Sequence, residues 1–248
     1  SFDYLRQRIG LAEERHRTFE LVVPSPFDFA NQLLLCIPED IPIPGEGDFD
    51  AATQNALYQA AVAAGGGTLC LFTSRDSMTK AFSALEPRLT SQGLRPLCQD
   101  ITGPRTSILD TFREDPTSVL FGLKSFWEGI DVPGHALRCL VIAKLPFAVP
   151  SDPVVQARQE RVQDMGLSGY EDFYIPNAII GFRQGVGRLI RTATDCGAVY
   201  ILDRRVVLRR YGERFLNSLP NCMQLREPLA VCAARTQELV ARPSMEAV

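Results

Sequence analysis

The chain has 248 residues, 46% hydrophobic and 22% charged, a balance that suits a folded domain and excludes a charge-rich disordered segment. Its net charge of −3 excludes a uniformly basic nucleic-acid coat, so a polyanion site has to be a local groove. No apolar run approaches the roughly 20 residues that span a bilayer, and the opening residues do not read as a signal peptide, which predicts a cytoplasmic location and no membrane partner.

The chain opens on Ser instead of Met, as a piece of a longer protein would. Ser1–Val23 reads as an appendage, and the proline-interrupted stretch Ser25–Gly47 as a crossing into the main domain, giving boundaries of 1–24 and 25–248. A helix is predicted over Phe49–Ala64. Gly65–Gly67 precedes a strand instead of following one, so it reads as a helix stop and not a phosphate loop. Strands follow at Thr68–Phe72, Leu94–Cys98, Ser118–Leu123, Arg138–Lys144 and Ala198–Leu202. Between and after them come helices at Ser77–Leu89, from Arg105, at Val154–Asp164, Pro176–Arg191, Arg204–Ser218 and Pro228–Ala241. The near-continuous apolar strands are those of a sheet covered on both sides. The alternation predicts an α/β fold: a mostly parallel sheet with helices on both faces and a short N-terminal appendage.

The most informative segment is Gln184-Gly-Val-Gly-Arg-Leu-Ile-Arg191. On a helix opening at Pro176, Gln184, Arg188 and Arg191 fall within about 60° of one another, and Phe182, Val186, Leu189 and Ile190 cluster opposite. Two guanidiniums held together call for a polyanion, and their donor forks match a triphosphate. Each helix-interior glycine costs about 1 kcal/mol, so Gly185 and Gly187 point to a close approach. Pairing of these arginines with surface carboxylates is the competing reading.

Ser125-Phe-Trp-Glu-Gly-Ile-Asp-Val-Pro-Gly134 follows a strand, at the edge where parallel sheets bind ligands. Glu128 and Asp131 there could meet ribose hydroxyls or orient the arginines, and Gly129 permits close backbone approach. An ordinary loop with Trp127 as a core plug is the alternative. Thr73 and Ser74, at another strand end opening a helix, form either a small anion site or a helix cap. No phosphate-loop motif, dinucleotide fingerprint or strand-terminal Asp-Glu pair occurs. The seven cysteines lack C-x-x-C spacing and read as small buried hydrophobes. His16 and His135 read as solvated helix and loop residues.

Leu-Phe-Thr-Ser, Phe-Trp-Glu-Gly-Ile-Asp-Val-Pro-Gly, Lys-Leu-Pro-Phe and Arg-Gln-Gly-Val-Gly-Arg-Leu-Ile-Arg occur in that order between Ser25 and Leu202. The chain thereby resembles the C-terminal motor half of the bacterial DinG helicases, relatives of XPD in superfamily 2, and Ser1–Val23 resembles the stretch after motif III. The resemblance implies the second RecA-like lobe of an ATP-driven 5′-to-3′ DNA helicase. Motif VI would be Gln184, Gly187, Arg188 and Arg191, the two arginines acting as fingers on the γ-phosphate. Motif V would be Glu128, Gly129 and Asp131, coupling nucleotide to DNA. Motif IV would be Thr73 and Ser74 on single-stranded DNA, with Lys124 beside the strand and Phe126 or Trp127 stacking on bases. ATP and Mg²⁺ would be shared with an N-terminal motor domain of the same parent, which could also carry an iron–sulfur cluster. Such a parent is expected at the bacterial nucleoid. A catalytically inactive RecA-like module that binds nucleic acid or protein is the alternative.

Overall fold

Side chains along each strand alternate between two cores, and that alternation explains the architecture. In β2 (Thr68–Leu71), Leu69 and Leu71 join one apolar cluster, whereas Cys70 and the following Phe72 join the other. In β6 (Gly197–Ile201), Val199 and Ile201 face the first and Ala198 and Tyr200 the second. Both faces of the sheet are therefore covered.

The computed structural model describes residues 2–11, 18–127 and 136–241. The remaining strands are β1 (Leu33–Cys36), β3 (Arg95–Cys98), β4 (Ser118–Gly122), β5 (Cys139–Ile142) and β7 (Met223–Leu225). They form a seven-stranded sheet in the order β3-β4-β2-β5-β6-β1-β7, with every pairing parallel. The second core is closed by α3 (Phe49–Ala64), α4 (Arg75–Ser91) and α11 (Leu229–Val240). The first is closed by α5 (Arg105–Glu114), α6 (Lys124–Trp127), α8 (Ile175–Val186), α9 (Arg205–Leu208) and α10 (Gly212–Leu216). Helices α1 (Phe2–Ile9) and α2 (Phe29–Gln32) precede the sheet, and α7 (Pro153–Asp164) lies between β5 and α8. This is a RecA-like α/β lobe, as expected.

Local chemistry sets the boundaries. Gly65 caps α3 in the left-handed region at φ 64°, and Gly66 at φ 90° has no room for a Cβ, which would lie 2.5 Å from Thr117 Cα. The triple glycine is thus a helix stop. Tyr200, fully buried, donates its hydroxyl to Thr236 at 2.7 Å, and Thr236 donates to the Cys232 carbonyl, so α11 docks without an orphaned polar group. Six of the seven cysteines are buried, Cys196 being half-exposed.

Three expectations need correction. Leu33–Cys36 is a strand paired on both sides, between β6 and β7, and not part of a crossing. The helix expected over Arg204–Ser218 is broken into α9 and α10, because Gly212 packs against Val206, where a Cβ would collide with the Val206 carbonyl. The motif helix ends at Val186 and not at Arg191: Gly187 is its C-cap, at φ −64° and ψ 0°, and turns carry the chain onward.

Candidate functional site

Because β2, β5 and β6 are parallel and in register, with Leu71 opposite Ile142 and Ile142 opposite Ile201, the segments that leave them share one sheet edge. Phe72–Ser74 leaves β2 there, Ala143–Asp152 leaves β5, and Leu202–Arg204 leaves β6. Asp203 pins this edge. Fully buried, its carboxylate accepts the Leu145 amide at 3.0 Å and a bidentate pair from Arg205 at 2.8 and 2.6 Å. That pairing raises the Arg205 guanidinium above its ordinary value.

A cleft of about 420 Å³ opens between this edge and α8. Its walls carry Thr73, Asp152, Arg158, Asn177, Gly181 and Gln184. The fold therefore brings residues from two separate expected motifs, Thr73 and Gln184, into one cavity. Asp152 is committed to capping α7, accepting the Val154 and Val155 amides at 2.8 and 3.2 Å. Just before α8, burial and then the Asp152 charge push the Tyr174 phenol upward. The appendage reaches this region too: Tyr4 donates its hydroxyl to Asn177 at 3.0 Å. A smaller cavity of about 60 Å³ shares Phe72 and Thr73 and is lined by Lys80 and Lys144, whose Nζ stands 5.2 Å from the Phe49 ring centre.

Ser74 is the N-cap of α4, accepting the Ser77 amide at 3.1 Å, while Thr73 and Ser74 both stay exposed. Beyond α8, Leu189 and Ile190 are buried at 1% and 5% exposure, so the apolar side assigned to this segment is buried although the helix has ended. Arg188 and Arg191 are half-exposed on the turns that follow.

Two residues unmarked by any motif hold those turns. The Asp195 carboxylate accepts the backbone amides of Arg191 and Thr192, each at 2.8 Å. Gln32, at the end of α2, donates its side-chain amide to the carbonyls of Thr192, Ala193 and Asp195 at 3.1, 3.0 and 2.8 Å. Both are buried, at 5% and 4% exposure. The Thr-x-x-Asp spacing after Arg191 signals such a turn; nothing local to Gln32 marks it.

Phe126 does not fit its expected role. It is fully buried, its ring packed against Gly122 with the Arg105 guanidinium 5.3 Å away, so it offers no face to a base. Lys124 and Trp127 belong by their backbone to α6. Glu128, Gly129 and Asp131 lie outside the described residues. Among the described residues no group of His, Cys, Asp or Glu converges to hold a metal, and no helix is long and apolar enough to cross a membrane. Of the three side chains expected to act together, Gln184 lines the cleft, and Arg188 and Arg191 stand on the turns beyond α8, outside its described lining.

Residues 57–222 match the family described as the helicase C-terminal domain. The chain belongs to this family. Its similarity to DinG proteins accords with the motifs. The Mycobacterium tuberculosis "ATP-dependent helicase DinG" is 36% identical over 236 residues, covering 94% of this chain and 35% of that protein. The Haemophilus influenzae "ATP-dependent DNA helicase YoaA" is 36% identical, over 92% of this chain and 34% of its own length. The Bacillus subtilis "3′-5′ exonuclease DinG" is 34% identical, over 89% and 24%. The chain thus spans between about a quarter and about a third of these relatives. Among solved structures, an XPD helicase superposes with a TM-score of 0.62 at 16% identity, over 91% of this chain and 41% of that one. Saccharomyces cerevisiae Dbp5 bound to RNA and ADP BeF3 gives 0.59 at 15% identity, over 96% and 52%. At those identities the likeness shows the fold of this helicase C-terminal domain.

Proposed function

We propose that this helicase C-terminal domain, residues 25–248, is the second motor lobe of a bacterial ATP-dependent 5′-to-3′ DNA helicase. Residues 1–24 are then the tail of the preceding motor domain. The observation that carries the reading is the buried clamp of Gln32 and Asp195 on the turn bearing Arg191, directly after the helix that brings Gln184 into the cleft beside Thr73. A turn fixed this firmly pre-orients its arginines for a ligand, and transition-state charge is stabilised best by donors already in place.

In this reading Arg188 and Arg191 reach the γ-phosphate of an ATP whose phosphate loop and Mg²⁺ carboxylates belong to the first lobe. Gln184 lines the nucleotide side. Thr73 and Ser74 donate hydroxyls to the phosphodiesters of single-stranded DNA, and Glu128, Gly129 and Asp131 couple the two ligands. Lys124 and Trp127 lie beside the strand. Closure of the two lobes on ATP and reopening after hydrolysis moves the strand. Any iron–sulfur cluster belongs to the first lobe, and the whole enzyme works at the nucleoid in the cytoplasm.

The test is Arg188→Ala in this lobe joined to its N-terminal motor domain. ATP turnover is expected to fall by about three orders of magnitude or more, the span assigned to an arginine finger, with ATP binding largely kept. Preserved turnover would refute the finger role.

A further inference from the structure

On the same sheet edge, but at its other end, lies a cleft of about 540 Å³ between α9, α10 and β7. Gln224 and Arg226 alternate onto its wall from β7 and its exit, while Arg209 and Arg210 enter from the turn between α9 and α10. Asn217 adds an amide, and Glu213 is the single acid. Among the other exposed arginines, Arg75, Arg95, Arg113, Arg214 and Arg235 each hold a carboxylate, whereas Arg158 and Arg161 on α7 and Arg183 on α8 hold none among the described residues. Arg209, Arg210 and Arg226 have none within 4.0 Å among the described residues. In a chain of net charge −3, three such arginines around one cavity make a local positive groove.

Register fixes where this groove lies. β7 runs parallel to β1 and ends with Leu225 opposite Cys36, so Arg226 leaves on the edge that also carries Thr73. Four strand spacings separate β2 from β7, which is about 19 Å. We infer that the Arg209–Arg210–Arg226 cleft is a second phosphodiester-binding site for single-stranded nucleic acid, engaging the strand away from Thr73 and Ser74. The inference rests on the single-strand reading of this edge. Guanidinium forks suit phosphate oxygens, and the cleft presents no aromatic ring, so its grip is on the backbone and indifferent to sequence.

The experiment is fluorescence anisotropy of a labelled oligothymidylate against salt, using the chain itself and three variants. R209A/R210A/R226A is expected to lose about tenfold or more in affinity at low salt. Its salt slope should become shallower by about two, at about 0.7 per lost single-strand phosphate contact. The charge-matched variant R95A/R113A/R235A should bind as the unmodified chain does. Because all three cleft arginines are exposed, the unfolding temperature should hold. An unchanged slope and affinity in R209A/R210A/R226A, an equal loss in the charge-matched variant, or no binding by the unmodified chain would each overturn the site. T73A/S74A separates the two readings. If it binds normally while the cleft variant fails, the motif IV assignment falls and the cleft stands; the reverse result removes the cleft alone.

Discussion

Gln32 and Asp195, 163 positions apart in the chain, meet through a 2.8 Å hydrogen bond from the Gln32 side-chain amide to the Asp195 carbonyl. Gln32 sits immediately before β1, a strand flanked by β6 and β7 near one end of the sheet. Asp195 in turn takes the Arg191 and Thr192 amides on its carboxylate. The backbone of Arg191 is therefore referenced to the sheet through two buried side chains, neither of which touches the cleft.

Asp195→Ala should lower stability by about 3 kcal/mol, since it leaves two amides without their charged acceptor. A drop in the urea midpoint of the isolated chain would report it. In the proposed two-lobe protein the same change should reduce kcat more than it raises KM, because Arg191 is retained but no longer fixed. Gln32→Met, similar in size but unable to donate, should act in the same direction. An unchanged midpoint for both variants would break the link between clamp and turn.

Much of the fold was legible in the sequence because strands buried on both faces spell themselves out as apolar runs, as Thr68–Phe72 and Arg138–Lys144 do. β1 hid among prolines: Leu-Leu-Leu-Cys is such a run, but Pro24, Pro26, Pro38, Pro42 and Pro44 around it suggested a crossing. β7 is three residues long, two of them exposed, and has no periodicity to read. The Gln184–Arg191 segment was misread in geometry. Its apolar residues keep helical spacing through Ile190, and only tertiary contacts show that Gly187 ends the helix. Gln32 was out of reach, since a lone glutamine acquires meaning only when a partner 163 positions away is known.

Two glycines should respond in opposite ways to alanine. Gly212→Ala drives a methyl group into the Val206 carbonyl and should cost about 3 kcal/mol or prevent folding. Gly181→Ala, inside α8, meets only Pro146 at 3.7 and 3.8 Å and should stabilise the chain by up to about 1 kcal/mol. Thermal melts of both decide it. Equal effects would mean that α10 is free to shift away from α9.

Alkaline pH should loosen the second core. Burial pushes the Cys139 thiol up to about 12 from an ordinary 9.0, and Cys70 well above the same value. A raised folded pKa means that the stabilisation is complete below about 9 and is lost as pH rises toward about 12. Each such thiol steepens the loss by up to about 1.4 kcal/mol per pH unit. Urea midpoints measured across that window should fall, and Cys139→Ala should flatten the decline. A midpoint independent of pH would contradict the burial of these thiols.

The measurement that bears most directly on the central claim is DNA-stimulated ATP hydrolysis, by this chain alone and then joined to the N-terminal motor domain proposed for its parent. The account predicts no turnover from the chain alone and turnover from the joined protein that Arg188→Ala abolishes. Hydrolysis by the chain alone would contradict it, because a complete ATP site would then lie within these 248 residues.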